Sequence, residues 1–275
     1  MTFGARLHAA MLARGPLCVG IDPHPALLAS WGLPDNALGL ERFARTVVEA
    51  LGAQVAVLKP QSAFFERFGS AGVGVLERVI ADARSAGALL LLDVKRGDIG
   101  STMQGYADAY TSPDSPLASD ALTASPYLGT GSLRPLLDTA LEHGAGVFVL
   151  ALTSNPEGAE VQHAVGPDGR TVAQTVIDWA ASVNVGASPL GSVGLVVGAT
   201  IGRTGHDFSK VNGPLLAPGV GAQGATAADL RDVFGDARAN VLPSVSREVL
   251  RAGPSVAALR EAAERLRDEC AAALA

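Results

Sequence analysis

The sequence predicts an α/β protein, a single (β/α)8 (TIM) barrel spanning residues 1–275. Three observations predict it. About eight short apolar runs rich in Val, Leu and Ile end in polar, Gly or Pro punctuation, as strands covered on both faces do. Helix-patterned stretches alternate with those runs, which calls for a parallel sheet. About eight such units in roughly 250 residues suit a closed barrel better than a doubly wound sheet.

The first run, residues 17–21, stops at Asp22-Pro23, and the second, 55–58, stops at Lys59-Pro60. A helical pattern over 38–52 lies between them. The third run, 88–94, passes through Asp93 and Val94 into Lys95-Arg96-Gly97-Asp98 and is preceded by a helical pattern over 72–86. Helical patterns over 102–111 and 131–143 flank the short fourth run, 121–124. The fifth, 146–152, ends in Thr153-Ser154-Asn155, and a helix over 171–184 leads to the sixth, 194–198. Residues 215–217 and 241–245 complete the set, with helices expected over 226–234 and 254–274. Two stretches, 153–170 and 199–214, exceed ordinary loop length and read as lids or binding loops.

Composition narrows the class. Hydrophobic residues make up 48% and charged residues 17%, so a large core is available and disorder is not expected. Net charge is −6 with no basic run, which argues against a nucleic-acid partner, although a local field can still hold a small anion. Cys18 and Cys270 stand at opposite ends and the five histidines are scattered, so neither a disulfide framework nor a metal site is expected. No apolar run is long enough to cross a membrane and no secretion signal opens the chain. A cytoplasmic protein with reduced thiols is expected.

In a barrel of this kind the active site lies at the carboxyl ends of the strands, and the polar residues gather there. Asp93 and Lys95 are two apart on one strand and therefore share a face, while Asp98 follows one Gly97 turn later. The pattern predicts an ammonium flanked by carboxylates at the barrel mouth. Asp22 and Lys59 end neighbouring runs and join that network; buried charges are expensive, and this many are not needed to seal a barrel. Arg96 reads as an outward structural charge. Gly219–Gly224 spells Gly-x-Gly-x-x-Gly, but it follows the seventh run rather than the first, so the dinucleotide fingerprint does not apply. It reads instead as a Gly-rich phosphate loop before a helix capped near Thr226, at the barrel position where phosphate sites recur. Gln223 can donate an amide hydrogen bond there, and Arg247 a bidentate contact to phosphate oxygens.

Taken together, these residues resemble the orotidine 5′-phosphate decarboxylase family, over essentially the whole chain. The family pattern is an Asp on the first strand, a Lys on the second, Asp-x-Lys-x-x-Asp after the third, a Ser after the fifth, a Pro-Gly-x-Gly-x-Gln-Gly loop after the seventh and an Arg after the eighth. This chain supplies Asp22, Lys59, Asp93, Lys95, Asp98, Ser154, Pro218–Gly224 with Gln223, and Arg247. The flanks of Arg247, Ser246 and Glu248, depart from the commoner Gly-Arg-Ser form. The long segment after the fifth strand is similar to the longer-loop branch.

The resemblance implies decarboxylation of orotidine 5′-monophosphate to uridine 5′-monophosphate in pyrimidine synthesis, with no metal and no cofactor. It implies catalytic roles for Lys95, Asp93, Asp98 and Lys59. Asp22, Lys59 and Thr102 are implied to hold ribose hydroxyls, Ser154 the pyrimidine amide edge, and Pro218, Gln223 and Arg247 the phosphate region. It implies a homodimer in which Asp98, Ile99 and Thr102 reach into the neighbouring subunit's site. The rivals are a magnesium-dependent keto-sugar-phosphate decarboxylase of the same superfamily, a Schiff-base aldolase using Lys95, and a catalytically silent nucleotide-binding barrel. Lys59 argues against the first. An aldolase lysine must be unprotonated in an apolar or cation-crowded pocket, and acidic neighbours push the other way.

Overall fold

A computed structural model describes residues 1–221, 224–226 and 228–275. Eight parallel strands close in sequence order, β1 (Cys18–Ile21), β2 (Val57–Pro60), β3 (Leu89–Arg96), β4 (Ala121–Ala124), β5 (Gly146–Leu152), β6 (Val193–Val197), β7 (Leu215–Pro218) and β8 (Val241–Val245), and β8 pairs back to β1. The expected barrel is present. The second strand begins later than its apolar run and carries Lys59 and Pro60 within it, because Gly20 and Ile21 of β1 pair with them. The third likewise runs on through its charged end to Arg96, which pairs with Ala124 across a register shift.

Strand parity sorts the core into two layers. One apolar cluster fills the barrel and its amino-terminal end, with Cys18, Leu91, Phe148, Val196, Leu216 and Leu242 inward. A larger cluster joins the outward strand residues, such as Val19, Leu58, Leu90, Leu92 and Val94, to the helices around them. The helix Ala37–Leu51 shows how that outer layer forms. Asn36 caps it by accepting from the Gly39 N–H at 3.0 Å, and Leu40, Phe43, Ala44, Val47 and Leu51 recur at helical spacing on its buried face.

The amino-terminal helix, Phe3–Arg14, lay outside the sequence expectations. Thr2 caps it, and Phe3, Leu7 and Ala10 close the end of the barrel opposite the strand exits. Phe3 meets Phe148 edge-on at 5.9 Å between ring centroids. A side chain on Gly146 would strike the Phe3 ring, so that glycine is what admits the plug. With one end closed, the rim at the strand carboxyl ends is the accessible mouth. The 199–214 connection between β6 and β7 contains no helix, as its loop-like composition predicts.

Candidate active site

The strand parity that points Leu91 inward also points Asp93 and Lys95 inward, above it. Likewise Asp22 lies above Gly20, Lys59 above Val57, Thr123 above Ala121, and Ser244 and Ser246 above Leu242. These residues, with Gln61, Thr153, Ser154, Asn155, Pro218, Gly219, Val220 and Arg247, line one cavity of about 310 Å³ at the barrel mouth. A roomier groove of about 700 Å³ lies on the outer surface between the helices Ala37–Leu51 and Gly69–Ser85. It holds none of the rim residues, and three of its charges are paired, Glu41 with Arg78 and Arg45 with Asp82.

Asp93 is the hub of the cavity floor. Its Oδ1 accepts from Lys95 Nζ at 2.7 Å and from Thr123 Oγ1 at 2.8 Å, and its Oδ2 lies 3.4 Å from Lys59 Nζ. Burial alone would raise the Asp93 carboxyl, but Lys59 and Lys95 outweigh it, with hydrogen bonds from Lys95 and Thr123, and bring it down to about 2. Burial likewise pulls on Lys59, yet the Asp93 and Asp22 carboxylates hold its ammonium above the ordinary lysine value. Lys59 is therefore a buried charge with its counter-charges in place. Lys95 differs: its side chain remains 47% exposed, facing the opening.

The backbone at Lys95 is in the left-handed region, with φ of 46°, a conformation unusual for a residue with a Cβ. Its N–H donates to Thr123 Oγ1 at 2.9 Å, so one threonine fixes both the Lys95 backbone and the Asp93 carboxylate. Thr123 escaped the sequence reading. Its signal was present, as the one polar residue of Ala-Leu-Thr-Ala at an inward position.

The expected pair of carboxylates around Lys95 is corrected within the chain. Among the described residues, Asp93 alone meets the Lys95 side chain; Asp98 accepts from the Ile99 N–H at 2.8 Å and does not line the cavity. The turn explains it. At Gly97 a side chain would strike the Ser125 carbonyl, and that close approach carries the chain over β4 and outward. Ile99 and Thr102 are exposed on the outer lip, Ile99 at 61%. Arg96 is outside the cavity, as expected, bonded to Glu66 and Tyr110.

The remaining predicted residues take their places around the wall. Asp22 is buried, and Ser154, Pro218 and Arg247 line the cavity. Gln223 lies outside the described residues. In the Gly-rich loop Gly219, Gly221 and Gly224 all have positive φ, and the N–H groups of Gly221, Gly224 and Ala225 bond within the loop. Thr226 and Asp229 cap each other beyond it. The 199–214 loop meets the start of the helix Val172–Val183, which follows the 153–170 loop: its His206 Nε2 is 3.0 Å from Oγ1 of Thr171, the helix cap.

A family model described as "Orotidine 5'-phosphate decarboxylase / HUMPS family" matches residues 15–262. The chain belongs to this family. The orotidine 5′-phosphate decarboxylase of Salinispora arenicola is 70% identical over 273 residues, covering 99% of this chain and 98% of the relative. That of Streptomyces coelicolor is 66% identical over 263 residues, covering 96% and 95%. A crystal structure from Streptomyces avermitilis, ascribed to orotidine 5′-phosphate decarboxylase, superposes with a TM-score of 0.97 at 66% identity and covers 99% of this chain and 96% of that one. The Leishmania donovani OMP decarboxylase structure, at 32% identity, gives 0.78 with coverage of 100% and 99%.

Proposed function

We propose that this chain decarboxylates orotidine 5′-monophosphate to uridine 5′-monophosphate and carbon dioxide, without a cofactor, in pyrimidine synthesis. The observation that carries the proposal is the Lys59–Asp93–Lys95 array on the cavity floor, with the Lys95 ammonium turned to the opening. Breaking the bond between C6 and its carboxylate leaves an electron pair in an in-plane orbital with little resonance relief. An ammonium beside C6 stabilises that charge and then gives it a proton, so carbon dioxide leaves and the Lys95 amine recovers its proton from water. Asp93 positions Lys95 and crowds the departing carboxylate, a repulsion that vanishes as neutral carbon dioxide forms.

The rest of the wall binds. Asp22 and Lys59 suit ribose hydroxyls, Ser154 the pyrimidine amide edge, and Gln223 and Arg247, with the backbone near Pro218, the phosphate. Phosphate binding, remote from C6, supplies energy for closing the 153–170 and 199–214 loops over the ring. Lys59 favours this reading over the magnesium-dependent keto-sugar-phosphate decarboxylase. Its ammonium already stands against Asp93 in the field of Asp22, in the place where a divalent ion would need those carboxylates.

The reading includes a homodimer of cytoplasmic barrels, each running through residues 1–275. Its support is the exposed lip: Asp98, Ile99 and Thr102 adjoin the β4 exit, where Tyr127 and Leu128 are exposed apolar residues. In the dimer, Asp98, Ile99 and Thr102 complete the partner's site. No helix among the described residues is long and apolar enough to cross a membrane.

The test is a spectrophotometric assay with orotidine 5′-monophosphate and a chelator present. Turnover that is indifferent to the chelator supports the proposal; no turnover, or turnover restored only by magnesium, contradicts it. Mixing Lys95→Ala with Asp98→Asn tests the shared site, since one heterodimer site regains both residues. Activity that fails to recover on mixing contradicts it.

A further inference from the structure

We propose that Ser246 is a substrate-binding residue whose side-chain hydroxyl donates a hydrogen bond to the nucleotide 5′-phosphate, beside Arg247. The ligand's identity rests on the decarboxylase reading above; the assignment of Ser246 rests on its surroundings. Ser246 follows β8 at an inward position and lines the cavity. Its Oγ is buried and has no hydrogen-bond partner among the described residues, a state shared with one other side-chain atom, Asp22 Oδ1. Buried polar groups are rarely left unpaired, and those that are call for an explanation.

The two orphan atoms belong to one constellation. A Cβ built on Gly20 would lie 2.9 Å from Asp22 Oδ2, 2.9 Å from Ser246 Cβ and 3.2 Å from Ser246 Oγ. Only a glycine at position 20 leaves room for both side chains at this corner. They sit together without bonding each other, so each keeps a capacity for something else. A carboxylate can only accept, so Asp22 calls for a hydroxyl donor, which the ribose provides. A serine hydroxyl can donate, and rotation about χ1 sweeps the Ser246 hydroxyl across the cavity wall.

The acceptor that fits is a phosphate oxygen. Ser246 is joined directly to Arg247, whose guanidinium draws negative charge to the same wall. Strand β7 pairs with β8 through Pro218 and Ser244, which brings Gly219 and Val220 to the adjoining part of the rim. Ser246 thus stands between the acidic corner that suits a sugar hydroxyl and the cationic, glycine-lined corner that suits an anion. The hydroxyl at this position is an added donor to the anion.

The experiment compares UMP and uridine binding to the wild-type protein, Ser246→Ala and Ser246→Gly, by calorimetry for UMP and ligand-observed NMR titration for uridine. Loss of a hydrogen bond to a charged group predicts UMP weakened about tenfold or more in both variants. Uridine binding should stay within about twofold, and the unfolding midpoint should not move. Ser246→Thr, which keeps a hydroxyl, should bind UMP more tightly than Ser246→Ala. UMP affinity unchanged in both hydroxyl-less variants overturns the proposal, as does an equal weakening of uridine, which would give the hydroxyl to the ribose. A wild-type chain that fails to bind UMP overturns the decarboxylase reading itself, and the Ser246 assignment with it.

Discussion

Replacing Lys95 with alanine should separate chemistry from stability. The Lys95 ammonium is half-exposed and pairs with Asp93 at 2.7 Å. An ion pair this open to water contributes under about 1 kcal/mol to folding. Asp93 also keeps Lys59 and Thr123 as partners, so it is not stranded. The chemical loss is much larger. A unit charge ~4 Å from the developing carbanion, at an effective dielectric near 20, is worth about 4 kcal/mol, or roughly a thousandfold in rate. Losing the proton donor removes a further factor of about 10² to 10⁴. We therefore expect Lys95→Ala to lower kcat by about 10⁵ or more, while urea unfolding shifts by less than about 1 kcal/mol. The assay is UMP formation with enough enzyme to see slow turnover, paired with denaturation of the same preparation. Activity within tenfold of wild type would refute the role of Lys95; an unfolded variant would refute the energetic division between Lys95 and Lys59.

The companion substitution should behave in the opposite sense. Lys59→Met leaves Asp93 and Asp22 buried with one cation fewer, and should destabilise the fold by about 2 kcal/mol or more in urea, besides weakening nucleotide binding. The pH dependence follows from Asp93. Its carboxyl lies at about 2 rather than 3.8, so it contributes about 2 kcal/mol to stability above pH 4. That contribution is lost as pH falls from about 4 through 2, and Asp93→Asn should abolish this part of the acid-unfolding curve. An Asp93→Asn curve of unchanged shape in that window would contradict the assignment. Thr123→Val removes the bond that orients Asp93 and the acceptor for the Lys95 N–H. Its kcat should fall about tenfold or more with KM little changed; a change confined to KM would count against a positioning role.

Much of the barrel was legible because its strands are buried on both faces and read as apolar runs. Parity then made the floor legible, since any strand with Leu91 inward must point Asp93 and Lys95 inward too. What escaped was set by contacts between distant segments. The helix Phe3–Arg14 is a plug, and its Phe3, Leu7, Ala10 spacing gives a helix but not its seat at the closed end. The ends of β2 and β3 depend on partners across the sheet, so the apolar runs mark their starts and stops imperfectly. Asp98 looked like a second neighbour of Lys95 because sequence proximity hides the turn that Gly97 and Ser125 impose. Thr123 and Ser246 are ordinary polar residues singly; they become site residues only where Asp93, Gly20 and Asp22 are folded against them.

By microscopic reversibility, the group that protonates C6 must also catalyse removal of the C6 proton from bound product. The most direct test is therefore the exchange of the UMP C6 hydrogen in D2O, followed by NMR with wild-type enzyme and Lys95→Ala. An ammonium at residue 95 as donor predicts catalysed exchange by the wild type and only the buffer rate with the variant. Exchange at the wild-type rate in a chain without that amine would contradict it.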